Sequence, residues 1–200
     1  MKTLFFISEN KNKFDELESY LSKSKFHEQF ELKLVIPSVE IYEIQSNNRF
    51  EVVERKLHDA MKLCNEDEIK LDVDESGDSW YIMVEDTSFS IDKLGGFPGT
   101  FIKYYLKCQT LDEIADANLD SDAYAFVNLA VGRSTCKCSF ESVIKGKITT
   151  PRGLNGFGYD PIFKVYGTDK TNAELSMDEK ALYNPRTLVF QQVLEYLSNV

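Results

Sequence analysis

Leu4-Phe5-Phe6-Ile7-Ser8-Glu9-Asn10-Lys11-Asn12-Lys13-Phe14 is the stretch that decides the fold class. Four consecutive large apolar residues read as a buried strand, and Ser8-Glu9-Asn10 reads as the loop after it. Phe14, Leu17 and Leu21 then recur at helical spacing, which predicts a helix from about Lys11 to Ser22. A strand, a polar loop and a helix N-terminus in succession gather unpaired backbone N–H groups, an arrangement suited to an anion. The apolar run is too short for a secretion signal, and charge returns at Glu9 with no small-residue cleavage site.

Working outward, Leu32 to Ile36 reads as a second strand, with an extended segment through Ile44. Asn48 and Glu51 have capping-box spacing. Behind them Phe50, Val53, Leu57, Ala60, Met61 and Cys64 form a helical stripe, read as core. Asn65 to Ser79 carries seven acidic residues and reads as a solvated loop, without the regular ligand spacing that calcium demands. Trp80 to Val84 is strongly β-prone, with Glu85-Asp86-Thr87 expected at its end. Short helices are expected over Thr100 to Lys107 and Asp112 to Asn118. Ala123 to Val131 and Thr135 to Ile148 read as paired strands joined at Gly132-Arg133. Gly153 to Asp160 is a glycine-rich loop. Thr171 and Glu174 suggest a second capping box, and a last helix starts near Asn184-Pro185. Strands mixed with helices argue for an α/β or α+β fold on a mixed sheet.

Hydrophobic residues make up 42% of the 200 residues, enough for a proper core. A net charge of −10 argues against binding DNA or RNA in general. It does not argue against a small phosphorylated ligand in a local basic pocket. No stretch approaches the roughly 20 apolar residues of a membrane span. Cys64, Cys108, Cys136 and Cys138 read as small buried hydrophobes in a reducing cytosol. The C-x-C pair would share one face of a strand, and only His27 and His58 could extend it toward a zinc site.

Cutting a triphosphate requires cations and N–H donors around the phosphates. It also requires Mg²⁺ held by one or two carboxylates, and a group that prepares the attacking water. The chain has matching parts in separate places. Asn10 and Lys13 stand at the mouth of the first helix, Glu43 follows an extended segment, and Asp86 is expected at a strand end. Lys56 and Lys103 lie on helices, and Phe157 and Tyr159 lie in the glycine-rich loop. Each alone has a plainer structural reading, so these residues by themselves reach an α/β protein with a plausible phosphate site.

In order along nearly the whole chain, these parts resemble the inosine triphosphate pyrophosphatase family. The matches are Ser8-Glu9-Asn10 with Lys13 and Glu16, Glu43-Ile44-Gln45, Lys56 with Ala60, Glu85-Asp86-Thr87-Ser88, and Leu94-Gly95-Gly96-Phe97-Pro98-Gly99 with Lys103. They continue through Pro151-Arg152-Gly153, Gly156-Phe157-Gly158-Tyr159-Asp160-Pro161, Thr171-x-Ala173-Glu174 and Glu179-Lys180.

The resemblance implies an elongated α/β fold with a mixed central sheet flanked by helices. It implies one domain over residues 1–200, of two lobes with the active-site cleft between them. It implies hydrolysis of non-standard purine triphosphates (ITP, XTP, dITP) to the monophosphate and pyrophosphate, by a cytoplasmic, magnesium-dependent homodimer. By the same resemblance Ser8, Glu9, Asn10, Lys11, Asn12 and Lys13 would hold the triphosphate. Glu43 and Asp86 would bind Mg²⁺, with Asp86 also preparing the water. Lys56 and Lys103 would neutralise phosphate charge, with Thr87 beside them. Phe157 would stack on the base, Gly158, Tyr159 and Asp160 would complete that wall, and Lys180 and Arg186 would reach the base or phosphates.

Two positions depart from the family pattern. Glu9 stands where the pattern has Gly, which lets the backbone approach phosphate closely. Asn184-Pro185-Arg186 stands where the pattern has Ser-His-Arg. Asn then Pro makes a good helix start but lacks the imidazole donor. That loss points to an alternative, a pyrophosphatase with shifted base preference toward another modified or pyrimidine NTP. A non-catalytic nucleotide binder is the third reading. A P-loop kinase is not indicated, because no Lys-Ser/Thr follows Gly95 to Gly99.

Overall fold

The computed structural model describes residues 1–73, 79–134 and 136–200. It is a mixed α/β protein whose strands occur in the order β2-β1-β3-β5-β6-β7, with β4 beside β3. These strands are β1 (Lys2–Ile7), β2 (Phe30–Val35), β3 (Trp80–Ile91), β4 (Pro98–Gly99), β5 (Asp122–Arg133), β6 (Cys136–Ile148) and β7 (Phe163–Val165). β1 pairs in parallel with β2 and with β3, whereas β4 on β3 and β7 on β6 are antiparallel. The helices are α1 (Lys11–Lys23), α2 (Arg49–Asn65), α3 (Ile102–Cys108), α4 (Leu111–Asn118), α5 (Met177–Tyr183) and α6 (Pro185–Ser198). Among the described residues no helix is long and apolar enough to cross a membrane.

The chain divides into two compact units, one of Met1–Asp86, Asn128–Glu141 and Val189–Val200, the other of Thr87–Val127 and Ser142–Leu188. In the first, Ile7, Ile82, Val84 and Ala130 from the strands pack with Val53, Leu57, Ala60 and Met61 of α2. The α2 stripe therefore does what its spacing predicts, except that Phe50 is 39% exposed. In the second, Phe89, Ile91, Ala123, Ala125, Ile148 and Phe163 from the strands enclose Ile102, Ile114 and Tyr159.

Several boundaries differ from the sequence reading. β3 does not stop at Val84 but runs on to Ile91, because Ser88, Phe89 and Ile91 are buried as well. Asp86 thus lies within a strand rather than at its end. Gly132-Arg133 belongs to β5, and the chain turns at Ser134, whose φ is 54°. Asn48 caps α2 through Phe50 N and Glu51 N, but Glu51 turns to the Ser46 hydroxyl instead of closing a box. No helix starts at Thr171, whose hydroxyl donates to Arg152 O; α5 begins only at Met177. The reciprocal boxes are Thr110 with Glu113 and Ser176 with Glu179.

The acidic segment is anchored by Ile69, only 2% exposed, and its residues 74–78 lie outside the described residues, as does Thr135. None of the four cysteines is buried, contrary to the sequence reading: Cys108 and Cys136 are exposed, and Cys64 and Cys138 are half-buried.

Candidate active site

In the first unit, β1 delivers the chain to a polar turn. Ser8 Oγ accepts from Asn10 N at 3.1 Å, and Asn10 Oδ1 accepts from Lys13 N at 3.4 Å, so Asn10 is the N-cap of α1. This holds the first turn of α1 in place with its leading N–H groups unused by the helix. Glu9, Lys11 and Asn12 are exposed around it. Lys13 reaches back to β3, where its Nζ lies 3.0 Å from Oε1 of the buried Glu85. From α2, Lys56 Nζ lies 2.8 Å from Glu43 Oε1 and donates to Glu85 O at 3.1 Å. Four elements thus bring two lysines and two glutamates to one stretch of β3.

Asp86 stands among them. It is 8% exposed, and its Oδ2 has no hydrogen-bond partner among the described residues. Burial is the main cause that lifts its carboxyl to about 6 from an ordinary 3.8; Lys13 and Lys56 pull it down, while Glu43 and Glu85 push it up. A buried acceptor without a donor costs stability, and such unmet groups cluster at functional sites. Among the described residues no three His, Cys, Asp or Glu side chains gather to hold a metal on protein ligands alone. A Mg²⁺ ion that keeps waters and phosphate oxygens needs only one or two carboxylates. The unpartnered Asp86 Oδ2, with Glu43 close enough to act on its proton affinity, fits that demand.

The second unit carries the other group. Arg186, at the start of α6, is 4% exposed. Its guanidinium carbon lies 5.3 Å from the centre of the Phe157 ring, and its Nη2 donates to Thr87 Oγ1 at 3.4 Å. Lys180 of α5, also 4% exposed, has its Nζ 4.0 Å from Asp160 Oδ2. Asp160 is held in turn by the Asn172 side-chain amide at 2.7 Å and by Phe157 N at 3.0 Å.

The glycine-rich loop has this shape because nothing larger fits. A Cβ on Gly156 would lie 2.5 Å from Asp160 Oδ2, and one on Gly153 would lie 2.5 Å from the Ala173 carbonyl carbon. The two aromatics of the loop have different surroundings. Tyr159 is packed into the core, stacked on Phe89 at 4.1 Å, while Phe157 stays half-buried against Arg186. Gly158 is exposed with φ 62°. Lys103 is exposed on α3.

Sequence reasoning missed Glu85 as the partner of Lys13, because a buried carboxylate looks like any other in a sequence. It also missed Asn172, whose contact with Asp160 crosses two turns. The motif boundaries carried the only available signal, since both residues lie inside quoted motifs.

The sequence model of the Ham1 family matches residues 4–196. The chain is 28% identical over 200 residues to the inosine triphosphate pyrophosphatase of Saccharomyces cerevisiae, covering 97% of this chain and 95% of that one. It is 28% identical over 202 residues to the dITP/XTP pyrophosphatase of Ignicoccus hospitalis, covering 98% and 97%. The fold matches a HAM1 protein from Coxiella burnetii with a TM-score of 0.73 at 23% identity over 100% of both chains. It matches the Staphylococcus aureus Ham1 protein at 0.70 and 20% identity over 98% of both.

Proposed function

Because the chain belongs to the Ham1 family, we propose that it hydrolyses non-standard purine nucleoside triphosphates (ITP, XTP and dITP) to the monophosphate and pyrophosphate. The observation that carries this reading is Asp86: a buried carboxylate with an oxygen unpartnered among the described residues, on a strand where two lysines and two glutamates meet. The names of the curated relatives support the reaction type.

The Ser8–Lys13 turn offers backbone N–H groups and the Lys13 ammonium to the phosphates. Lys56 adds a second ammonium, now resting on Glu43. Mg²⁺ would be held by Asp86 and Glu43, and when bound it supplies positive charge to the phosphate oxygens. Asp86, with its raised proton affinity, accepts a proton from the water that attacks the α-phosphorus. Glu85 keeps Lys13 aimed at the site through the 3.0 Å pair. The base is assigned to the Phe157 ring, with Asp160, Lys180 and Arg186 fixing its edge. A cytoplasmic homodimer completes the reading, and light scattering on the purified protein tests the dimer.

A second reading is favoured at Asn184-Pro185. Asn184 Oδ1 is committed to Arg186 N at 2.8 Å, and Pro185 has no donor to give. A missing donor removes roughly 1–3 kcal/mol of discrimination per contact, so base preference shifts from ITP and XTP toward another modified or pyrimidine NTP. Pyrophosphate release with Mg²⁺, measured across ITP, XTP, dITP and the common ribo- and deoxynucleotides, decides. Release confined to the first three upholds the main reading, and a maximum elsewhere upholds the second. Binding without release by any of them would overturn both in favour of a nucleotide-binding protein.

A further inference from the structure

Asp160 is central to the polar group of the second unit, and its two oxygens have different neighbours. Oδ2 accepts from Phe157 N at 3.0 Å and lies 4.0 Å from Lys180 Nζ. Oδ1 accepts from the Asn172 side-chain amide at 2.7 Å. Asp160 and Asn172 are each 6% exposed. Backbone bonds fix how they face one another. Asn172 N donates to Phe163 O at 2.9 Å and Ala173 N donates to Asp160 O at 3.3 Å, so the two segments lie side by side. On the other side, Asp160 N donates to Phe157 O at 3.3 Å. With the bond from Phe157 N to Oδ2, that closes a ring between Asp160 and Phe157.

An ionised carboxylate only accepts hydrogen bonds, so Asn172 turns Nδ2 toward Asp160 and its own oxygen away. That oxygen is buried and has no partner among the described residues, which costs stability. The position therefore uses the donor half of the amide and leaves the acceptor half idle. The carboxylate torsion of an aspartate is broad and roughly two-fold. A donor held on Oδ1 thus favours the rotation in which Oδ2 meets Phe157 N. The room for Oδ2 exists because residue 156 is glycine: a Cβ there would lie 2.5 Å from it.

We propose that Asn172 is a positioning residue for base recognition, a role that rests on the reading of Phe157 as the base platform. Acting through the Asp160 carboxylate, Asn172 holds the backbone of Phe157 and so the ring on which the base stacks. It is buried behind Asp160 and prepares no reacting atom. Its loss therefore belongs in KM and leaves kcat nearly untouched. The effect is smaller than loss of the ring itself, because Arg186 still lies 5.3 Å from the Phe157 ring centre.

The test compares wild type, Asn172→Ala, Phe157→Ala and the double variant, all full-length. Steady-state kinetics with ITP and Mg²⁺ give KM and kcat, and NMR amide exchange reports on Phe157 N–H. Asn172→Ala should raise KM about fivefold with kcat within about twofold. Its Phe157 amide should exchange about tenfold faster, because the acceptor on that N–H is less well held. In the Phe157→Ala background the same substitution should change KM by less than about twofold, since residues acting through one contact are not additive. Asn172→Leu, which fills the space without a donor, replaces the alanine variant if that does not fold, with the same expectations. An unmoved KM overturns the proposal, as does a Phe157 amide that exchanges at the wild-type rate. The same KM rise with and without the Phe157 ring overturns it equally. A wild type that releases no pyrophosphate from ITP overturns the proposed activity instead. ITP affinity in EDTA then takes the place of KM in the same cycle, and the Phe157 amide is read as before.

Discussion

The group around Asp86 and the group around Arg186 solve opposite problems with similar residues. Each contains two cations and at least one buried carboxylate. Around Asp86 the pairing is incomplete: Lys13 takes Glu85, Lys56 takes Glu43, and among the described residues Asp86 Oδ2 has no donor. Around Arg186 the pairing is fuller. Lys180 faces Asp160, Asp160 is further held by Asn172 and Phe157 N, and Arg186 rests on Phe157 and Thr87. The first leaves an electrostatic demand for something outside the chain to meet. The second meets both oxygens of its carboxylate and is shaped by short turns and glycines; the atom left unpartnered there among the described residues, Asn172 Oδ1, carries no charge. Unmet charge suits chemistry and fixed shape suits recognition, so damage to the two regions should register in different measured quantities.

The sharpest way to break that contrast is a pair of variants. Asp86→Asn keeps the volume but removes the proton acceptor. It should lower kcat by at least about 1,000-fold, equivalent to roughly 4 kcal/mol of transition-state stabilisation, with KM little changed. Phe157→Ala should do the reverse, raising KM about tenfold and leaving kcat within a few-fold. Steady-state kinetics with ITP checks both, and equal losses in kcat from the two variants would erase the division between chemistry and recognition.

Next in size is the cost of the fixed shape. Gly153 has φ +84°, and an added Cβ would meet the Ala173 carbonyl carbon at 2.5 Å and Glu174 N at 2.7 Å. Those are backbone atoms that cannot swing aside. Gly153→Ala should cost about 3 kcal/mol, from strain at positive φ plus overpacking. Gly95→Ala is the control: its φ is also positive, but nothing lies within 4 Å, so about 1 kcal/mol is expected. Denaturant melts of the two variants separate crowding from backbone strain.

The unmet charge should itself be measurable as instability. Asp86 binds its proton more tightly folded, at about 6, than at its ordinary 3.8. The folded state therefore holds more protons between those values, and stability falls as pH rises through that window. The contribution is fully present below about pH 4 and lost above about pH 6. A shift of about two pH units corresponds to roughly 3 kcal/mol, less what an unpartnered amide costs in the same place. In the absence of divalent metal, Asp86→Asn should thus melt later than wild type by about 2 kcal/mol at pH 7.5, and show no gain at pH 4. A variant that is inactive yet more stable is the signature of a site built at the expense of the fold.

What could be read from the sequence follows the same division. The strand, turn and helix from Leu4 to Leu21, the α2 stripe and the mixed sheet were legible because periodicity and caps are local. The length of β3 was not: nothing in Glu85-Asp86-Thr87-Ser88 says that a strand buries three of these four polar residues, since their burial depends on Lys13 and on neighbouring elements distant in sequence. Asp86 was found by its motif, while Glu85 as the seat of Lys13 was visible only in three dimensions. In the second unit the glycines announced a loop, but only the packing separates Tyr159, stacked in the core, from Phe157, which stays half-buried. Thr171 misled because the spacing of a capping box is not specific without the helix behind it.

The smallest effect tests the one place where a sequence departure and a structural role coincide. Asn184 Oδ1 accepts from Arg186 N at 2.8 Å, and its backbone carbonyl accepts from the Thr187 hydroxyl at 2.9 Å. Its side chain serves the first turn of α6 and, through that turn, the seat of Arg186 over Phe157. Asn184→Ala should cost about 1 kcal/mol, the usual worth of such a cap. Asn184→Ser restores an acceptor of the right kind and should recover most of it. If Arg186 acts through its placement, the alanine variant also raises KM for ITP by several-fold at unchanged kcat, and the serine variant reverses that rise. A stability loss with KM unmoved would mean that α6 needs the cap but recognition does not. Asn184 would then be a helix residue only, and base preference at this corner would rest on the absence of a donor at Pro185.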